Sequence, residues 1–227
     1  MALILNIETA TKVCSVALSK DGEVISCREL KEEKFSHAEK LNVFILEILV
    51  EAQVKVSEIE AVAVSKGPGS YTGLRIGVST AKGLCFAQDI PLISIDTTKA
   101  MANGCFKNGN TNCFASPLID ARRMENFNAI YDENLNEVKP ISADILEEGI
   151  YSEFLNKKEV VFFGDGLEKS KEILTHQNAK FIDLLPSAKW MGSIAESKFQ
   201  KNDFEDVAYF EPFYLKDFIA GKPKKLV

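Results

Sequence analysis

The chain opens with short apolar runs and later switches to a helical spacing. Ala2-Leu3-Ile4-Leu5-Asn6-Ile7 and Val13-Cys14-Ser15-Val16-Ala17-Leu18 read as strands flanking a polar turn, Glu8-Thr9-Ala10-Thr11-Lys12. Asp21-Gly22 is a hairpin signal, and residues 23–30 complete a three-stranded antiparallel meander. Residues 36–52 then place Leu41, Phe44, Ile45, Ile48 and Leu49 at i, i+3, i+4, i+7 and i+8, the core stripe of a helix. Ser36 and Glu39 have the spacing of a capping box. A second apolar stripe, Val43, Leu46 and Val50, lies about 160° away on the helical wheel. A helix greasy on opposite sides is buried either inside its domain or by a partner, and a partner is the expectation here.

A strand over 59–64 leads into Ser65-Lys66-Gly67-Pro68-Gly69-Ser70-Tyr71-Thr72-Gly73 and a helix running to about residue 88. Gly67-Pro68-Gly69 is a turn, and Ser70 or Thr72 can cap the helix. Gly73, Gly77 and Ala81 recur every four residues, a bare stripe where another backbone can approach. A strand over 92–95 and a short helix over 98–102 follow, and the Gly- and Asn-rich residues 103–112 suggest a boundary. The second half opens with a strand over 113–120, pairs it with 126–132, and places a third strand at 137–141. Helical patterning covers 143–156, a strand covers 159–163, and helices are expected after Gly164-Asp165-Gly166 to about 175 and over 187–200. An extended aromatic segment, 209–216, closes the pattern. The second half loosely repeats the first, so the reading is an α/β fold with two similar lobes, 1–102 and 103–227, the last segment packing back on the first.

Charge narrows the function classes. The chain has 27 basic and 33 acidic residues, a net charge of −6, which argues against a broad nucleic-acid-binding surface but not against a local patch. The tail Lys222-Pro223-Lys224-Lys225 is its basic run and reads as a solvated terminus. Five cysteines without Cys-x-x-Cys spacing argue against a disulfide framework or zinc site. With no leader pattern and no apolar run near 18 residues, a soluble, cytoplasmic protein that does not contact a membrane is expected.

Candidate chemistry is sparse. Glu8 and Asp120 end strands that open the two halves and could flank a cleft holding Mg²⁺ or nucleotide; the alternative is two turn carboxylates. Gly67, Gly69 and Ser70 precede a helix N-terminus that could bind an anion, yet no Gly-Lys-Ser/Thr follows, and a tight turn into a closely packed helix is the favoured use. Gly164 and Asp165 form a second strand-to-helix turn, where Asp165 could touch a phosphate-bound cation but is expected mainly to shape the turn. Arg122 and Arg123 stand beside Asp120, where an anionic ligand or acidic partner could dock, a solvated turn with local ion pairs being the favoured reading. His37 and His176 do not supply a zinc-hydrolase ligand set.

Ile4-Leu5-Asn6-Ile7-Glu8-Thr9-Ala10, the run from Gly67 to Gly77, Ile119-Asp120-Ala121-Arg122-Arg123 and Pro212-Phe213-Tyr214-Leu215-Lys216 together resemble the TsaB (YeaZ) family. The likeness is strong over 1–131, patchy over 132–205, and returns near the end. Glu8 stands where the family more often has Asp, and Tyr71 where Phe is usual. The resemblance implies an ASKHA fold of two RNase H-like lobes. It implies a non-catalytic subunit in the formation of threonylcarbamoyladenosine, at the tRNA adenosine following the anticodon. Such a subunit binds the transferase TsaD, its paralogue, acts with the ATPase TsaE, meets tRNA through the complex, and forms a homodimer when alone. TsaD-like catalysts carry a His-x-x-x-His metal pair; here His37 is followed by Leu41 at the second position, which argues against a metallopeptidase as well. No tightly bound cofactor is expected, with ATP or ADP placed at a subunit junction. The implied partner surface maps onto Val43, Leu46, Val50, Gly73, Ile76, Gly77, Thr80 and Ala81. The alternative is a small-molecule kinase of the same fold, binding Mg-ATP between the lobes.

Overall fold

The computed structural model describes residues 2–32 and 37–216. Ser36 and the basic tail at 222–225 lie outside the described residues. The first sheet is built from β1 (Leu3–Glu8), β2 (Val13–Lys20), β3 (Glu23–Lys31), β4 (Ala61–Gly67) and β5 (Leu92–Asp96), in the order β3-β2-β1-β4-β5. β1 pairs antiparallel with β2 (Ile7↔Val16) and parallel with β4 (Ile7↔Val64). The β2–β3 turn places both Asp21 and Gly22 at positive φ, 54° and 81°, as a tight two-residue hairpin requires.

Helices α1 (His37–Ala52) and α2 (Tyr71–Gln88) cover one face of this sheet. Ser70 caps α2 by accepting from the Gly73 N–H, and Asp89 ends it in the left-handed conformation at φ 54°. Leu41, Ile45, Ile48 and Leu49 of α1, with Val78 and Cys85 of α2, pack on Leu5, Ile7, Val16, Leu18, Val62 and Val64. This is the expected core stripe of α1, filled as its spacing dictates. The opposite face carries smaller side chains, Ala17, Ala61 and Ala63, with Ile4, Ile93 and Ile95. Small residues there admit Ala188, Met191 and Ala195 from near the end of the chain.

The second sheet joins β6 (Phe114–Asp120), β7 (Glu125–Tyr131), β8 (Glu137–Ile145), β9 (Val160–Phe163) and β10 (Ala179–Phe181) in the order β8-β7-β6-β9-β10. Order and direction match the first sheet strand for strand, with β6 in the place of β1. The duplication reaches single residues. Gly67 at φ 118° ends β4 and Gly164 at φ 120° follows β9, each two residues ahead of another glycine, Gly69 or Gly166.

Helices depart from the sequence pattern mainly in the second half. The helix expected over 143–156 is the end of β8 plus a single turn, α4 (Ser152–Leu155). β8 stays paired with β7 as far as Glu125↔Ile145, and Gly149 at φ 81° breaks the backbone before α4. The helix expected after Gly164 is a 3-10 turn, Glu168–Ser170. This crossover spans residues 164–178, against 68–91 in the first sheet, and has less chain for a helix. The helix expected over 187–200 is a 3-10 turn, Ala188–Trp190, and then α5 (Gly192–Gln200). The short helix at 98–102 is longer than expected: α3 runs Thr97–Lys107.

α3 serves both sheets. Ala100 joins the small-residue face of the first, while Met101, Ala102 and Cys105 pack with Ala115, Ile119, Phe127 and Tyr131 of the second. Thr98 Oγ1 and Tyr131 Oη lie 2.9 Å apart, and Asn103 donates to Trp190 O at 2.7 Å. Beyond α5 the chain runs back along the first lobe. Glu205 bridges Leu92, Lys82 Nζ donates to Ala208 O and Phe210 O, and Phe213 N–H donates to Lys66 O at 2.7 Å. Tyr214 packs against Tyr71 with ring centroids 4.9 Å apart and accepts from Arg75 Nε, and Lys216 then reaches Glu125 of the second lobe. All five cysteines are free thiols. Among the described residues no helix is long and apolar enough to cross a membrane.

Candidate functional site

Two places hold the residues singled out above: the interlobe turns and the outer surface of α1 and α2. At the turns the first lobe is closed by its own packing. Glu8 is fully buried, and its Oε1 accepts the Ala10 N–H at 2.6 Å. Burial pushes its carboxyl up to about 7, with the Ala10 amide and Ser65 hydroxyl acting the other way and Asp165 adding repulsion. Thr9 Oγ1 donates to Gly73 O at 2.8 Å, and Ser70 N–H donates to Ala10 O at 2.6 Å. A side chain at Gly69 would overlap Ala10 O, one at Gly73 the Thr9 carbonyl, and one at Gly77 the Thr9 hydroxyl.

The bare stripe therefore does receive a close backbone approach, but from the chain's own Glu8–Ala10 turn. Gly73, Gly77 and Ala81 are buried in the lobe and offer no docking surface, which corrects the expectation for these three. Ile76 is half-buried against the α1–α2 core, and Thr80 is half-buried as well. The anion reading of Gly67, Gly69 and Ser70 is corrected for the same reason. Ser70 spends its hydroxyl on Gly73 and its N–H on Ala10, and Phe213 O fills the space beside Gly67. The Glu8–Asp120 metal reading is also not borne out by geometry. Glu8 is sealed, Asp120 pairs with Lys169, and among the described residues no three His, Cys, Asp or Glu side chains come together to hold a metal ion.

The second lobe's turns are more open. Asp165 Oδ1 accepts the Asp120 N–H at 3.0 Å; protein packed around that carboxyl holds it above the usual range while its edge stays exposed. Gly164 lies against Leu118 O. Arg122 and Arg123 are exposed at the tip of the β6–β7 hairpin.

Val43, Leu46 and Val50 of α1 are left in solvent, at 46%, 61% and 78% exposure, and the second stripe is not used by the lobe itself. Phe86 of α2, which the periodicity reading missed, is 85% exposed. Its signal was present: Phe86 lies off the arc of Leu74, Val78, Ala81 and Cys85 that α2 buries. α1 and α2 pack side by side on the sheet, so the two helices present these side chains from one layer. His37 is buried with Nε2 3.2 Å from Val13 O, and burial pushes its imidazole below the ordinary range. Leu41, in the place of a second histidine, is core.

Two lobes of identical strand order, joined by a shared helix, define an ASKHA-type protein of the actin-like, RNase H-like class. The family model for TsaD, tRNA N6-adenosine threonylcarbamoyltransferase, matches residues 31–224. A protein of Escherichia coli K12 named tRNA threonylcarbamoyladenosine biosynthesis protein TsaB is 34% identical, the match covering 96% of each chain. A Haemophilus influenzae protein of the same name is 27% identical over 96% of this chain and 95% of its own. YeaZ from Pseudomonas aeruginosa superposes with a TM-score of 0.80 at 23% identity, covering 95% of this chain and all of the other. The chain belongs to the TsaB family.

Proposed function

We propose that this chain is a non-catalytic subunit in threonylcarbamoyladenosine formation in tRNA. In this reading it binds and supports a TsaD-type transferase, with TsaE as a further component, and meets tRNA as part of that complex. The observation that carries it is the exposed row Val43, Leu46 and Val50 on α1, with Phe86 on α2. The opposite face of α1 is fully spent on the core, so this row is surplus to the fold. A match to the TsaD model over most of the chain supports a partner of related fold, able to present equivalent helices. The same face accounts for self-association when the partner is absent. Leu41 where TsaD-like catalysts have a histidine, and a glycine turn filled by its own chain, both favour a supporting role over catalysis.

The test is capture of the TsaD-type partner by the wild-type chain and by Leu46→Glu. The variant is expected to fold and to lose capture; normal capture by Leu46→Glu together with Val50→Glu rejects the surface.

A further inference from the structure

We propose that the tip of the β6–β7 hairpin, Arg122 and Arg123, is a contact for the phosphate backbone of RNA. The proposal rests on the reading that this chain works in tRNA modification, and it names a place where the chain itself touches the nucleic acid. Three observations carry it.

The first is charge. No ion pair engages either guanidinium among the described residues; of the neighbouring acids Asp120 pairs with Lys169 and Glu125 with Lys216, while Asp165 stays against the Asp120 N–H. Two exposed arginines outside any ion pair among the described residues thus stand side by side in a chain of net charge −6. Guanidinium is the side chain best matched to a phosphate's paired oxygens.

The second is the backbone. Arg122 and Arg123 both adopt positive φ, 66° and 51°, a conformation uncommon for long side chains. It is held from below. Arg122 N–H donates to Asp120 Oδ1 at 3.0 Å, Ala121 N–H to Glu125 O at 3.1 Å, and Lys169 Nζ donates to Asp120 and to the carbonyls of Arg123 and Glu125. The tip is pre-organised with both side chains turned to solvent.

The third is exposure by design of the fold. The matching turn of the first lobe, Glu8–Ala10, is locked under α2, whereas the crossover after β9 makes only a 3-10 turn and leaves the hairpin uncovered. Exposed Met124 and Ile145 flank the arginines and extend the contact with an apolar edge.

Anisotropy of a labelled, unmodified tRNA transcript, titrated with the full chain between about 50 and 200 mM salt, tests this. Arg122→Gly/Arg123→Gly is the main variant, since glycine suits both φ values; Arg122→Lys/Arg123→Lys keeps the charge. The glycine variant is expected to bind about tenfold more weakly, with a salt slope shallower by about two, and the lysine variant to keep most of that slope. Equal affinity and slope for wild type and the glycine variant overturn the proposal, as does an absence of binding by the wild type. Unchanged tRNA affinity with weakened capture of the TsaD-type partner assigns the arginines to an acidic protein surface and also overturns it. Leu46→Glu in parallel separates the two readings: tRNA binding intact while capture is lost supports both, and capture unaffected strikes the docking face alone.

Discussion

The two central strands, β1 and β6, end in carboxylates at corresponding points, and the turns beyond them meet opposite fates. After Glu8 the chain dives under an 18-residue helix, and three glycines of the β4–α2 segment have no side chain so that it can fit. After Asp120 the chain makes a hairpin in the open, because the helix that would cover it has shrunk to three residues. The same strand order thus supports two surfaces. In the first lobe the helical layer is long enough to have an inside and an outside, and its outside carries an apolar row. In the second the missing layer leaves a charged tip. Duplication fixes the sheets; what is laid over them decides which surfaces stay exposed.

Gly77→Trp tests the contrast most severely. If the stripe were a partner surface, the variant would fold; since Thr9 occupies that space, it is expected to lose at least about 3–5 kcal/mol and to unfold at ordinary temperatures, as circular dichroism would show. Next in size is the effect of Leu46→Glu on association. On the proposed docking face it would remove a contact worth about 1.5–3 kcal/mol and bury a charge in its place, so capture should weaken by about a hundredfold at unchanged melting temperature. Val138→Glu, at an exposed apolar site on the edge of the second sheet, should leave capture as it was.

Glu8 gives the first lobe a pH signature. Its carboxyl sits at about 7 in the folded chain against 4.5 ordinarily, so between those values the folded state holds a proton that the unfolded state has released. Stability should therefore fall as pH rises from about 4.5 to 7 and level off above. Glu8→Gln should flatten that decline and raise stability near pH 8 by about 2–3 kcal/mol in denaturant titrations. The smallest effect belongs to Gly83→Ala. Gly83 is the α2 glycine with open space around its α-carbon, and alanine there should stabilise the helix by about 0.5–1 kcal/mol.

The first lobe was legible because its helices are long. Sixteen residues of α1 show two stripes clearly, and the sequence separates the one the core uses from the one it leaves. The second lobe's short elements were over-read: a few apolar residues over 143–156 fit helix and strand alike, and only pairing with β7 decides. The glycine stripe shows a different limit. Its spacing announces a close approach without naming the approaching backbone, and the contact to Thr9 spans 64 residues of chain. The sealing of Glu8 was hidden likewise, since nothing local to Ile7-Glu8-Thr9 says that α2 will lie over it.

Ala188, Met191 and Ala195 complete the inner face of a sheet whose strands all lie before residue 97. During synthesis, that face must wait until about a hundred further residues have left the ribosome, on the order of 5–20 seconds at ordinary elongation rates. Through that interval Ala17, Ala63, Ile93 and Ile95 have only α3 to shield them. A nascent chain halted within that interval is therefore expected to leave this apolar face open, which proteolysis of a chain stalled before residue 188 would reveal.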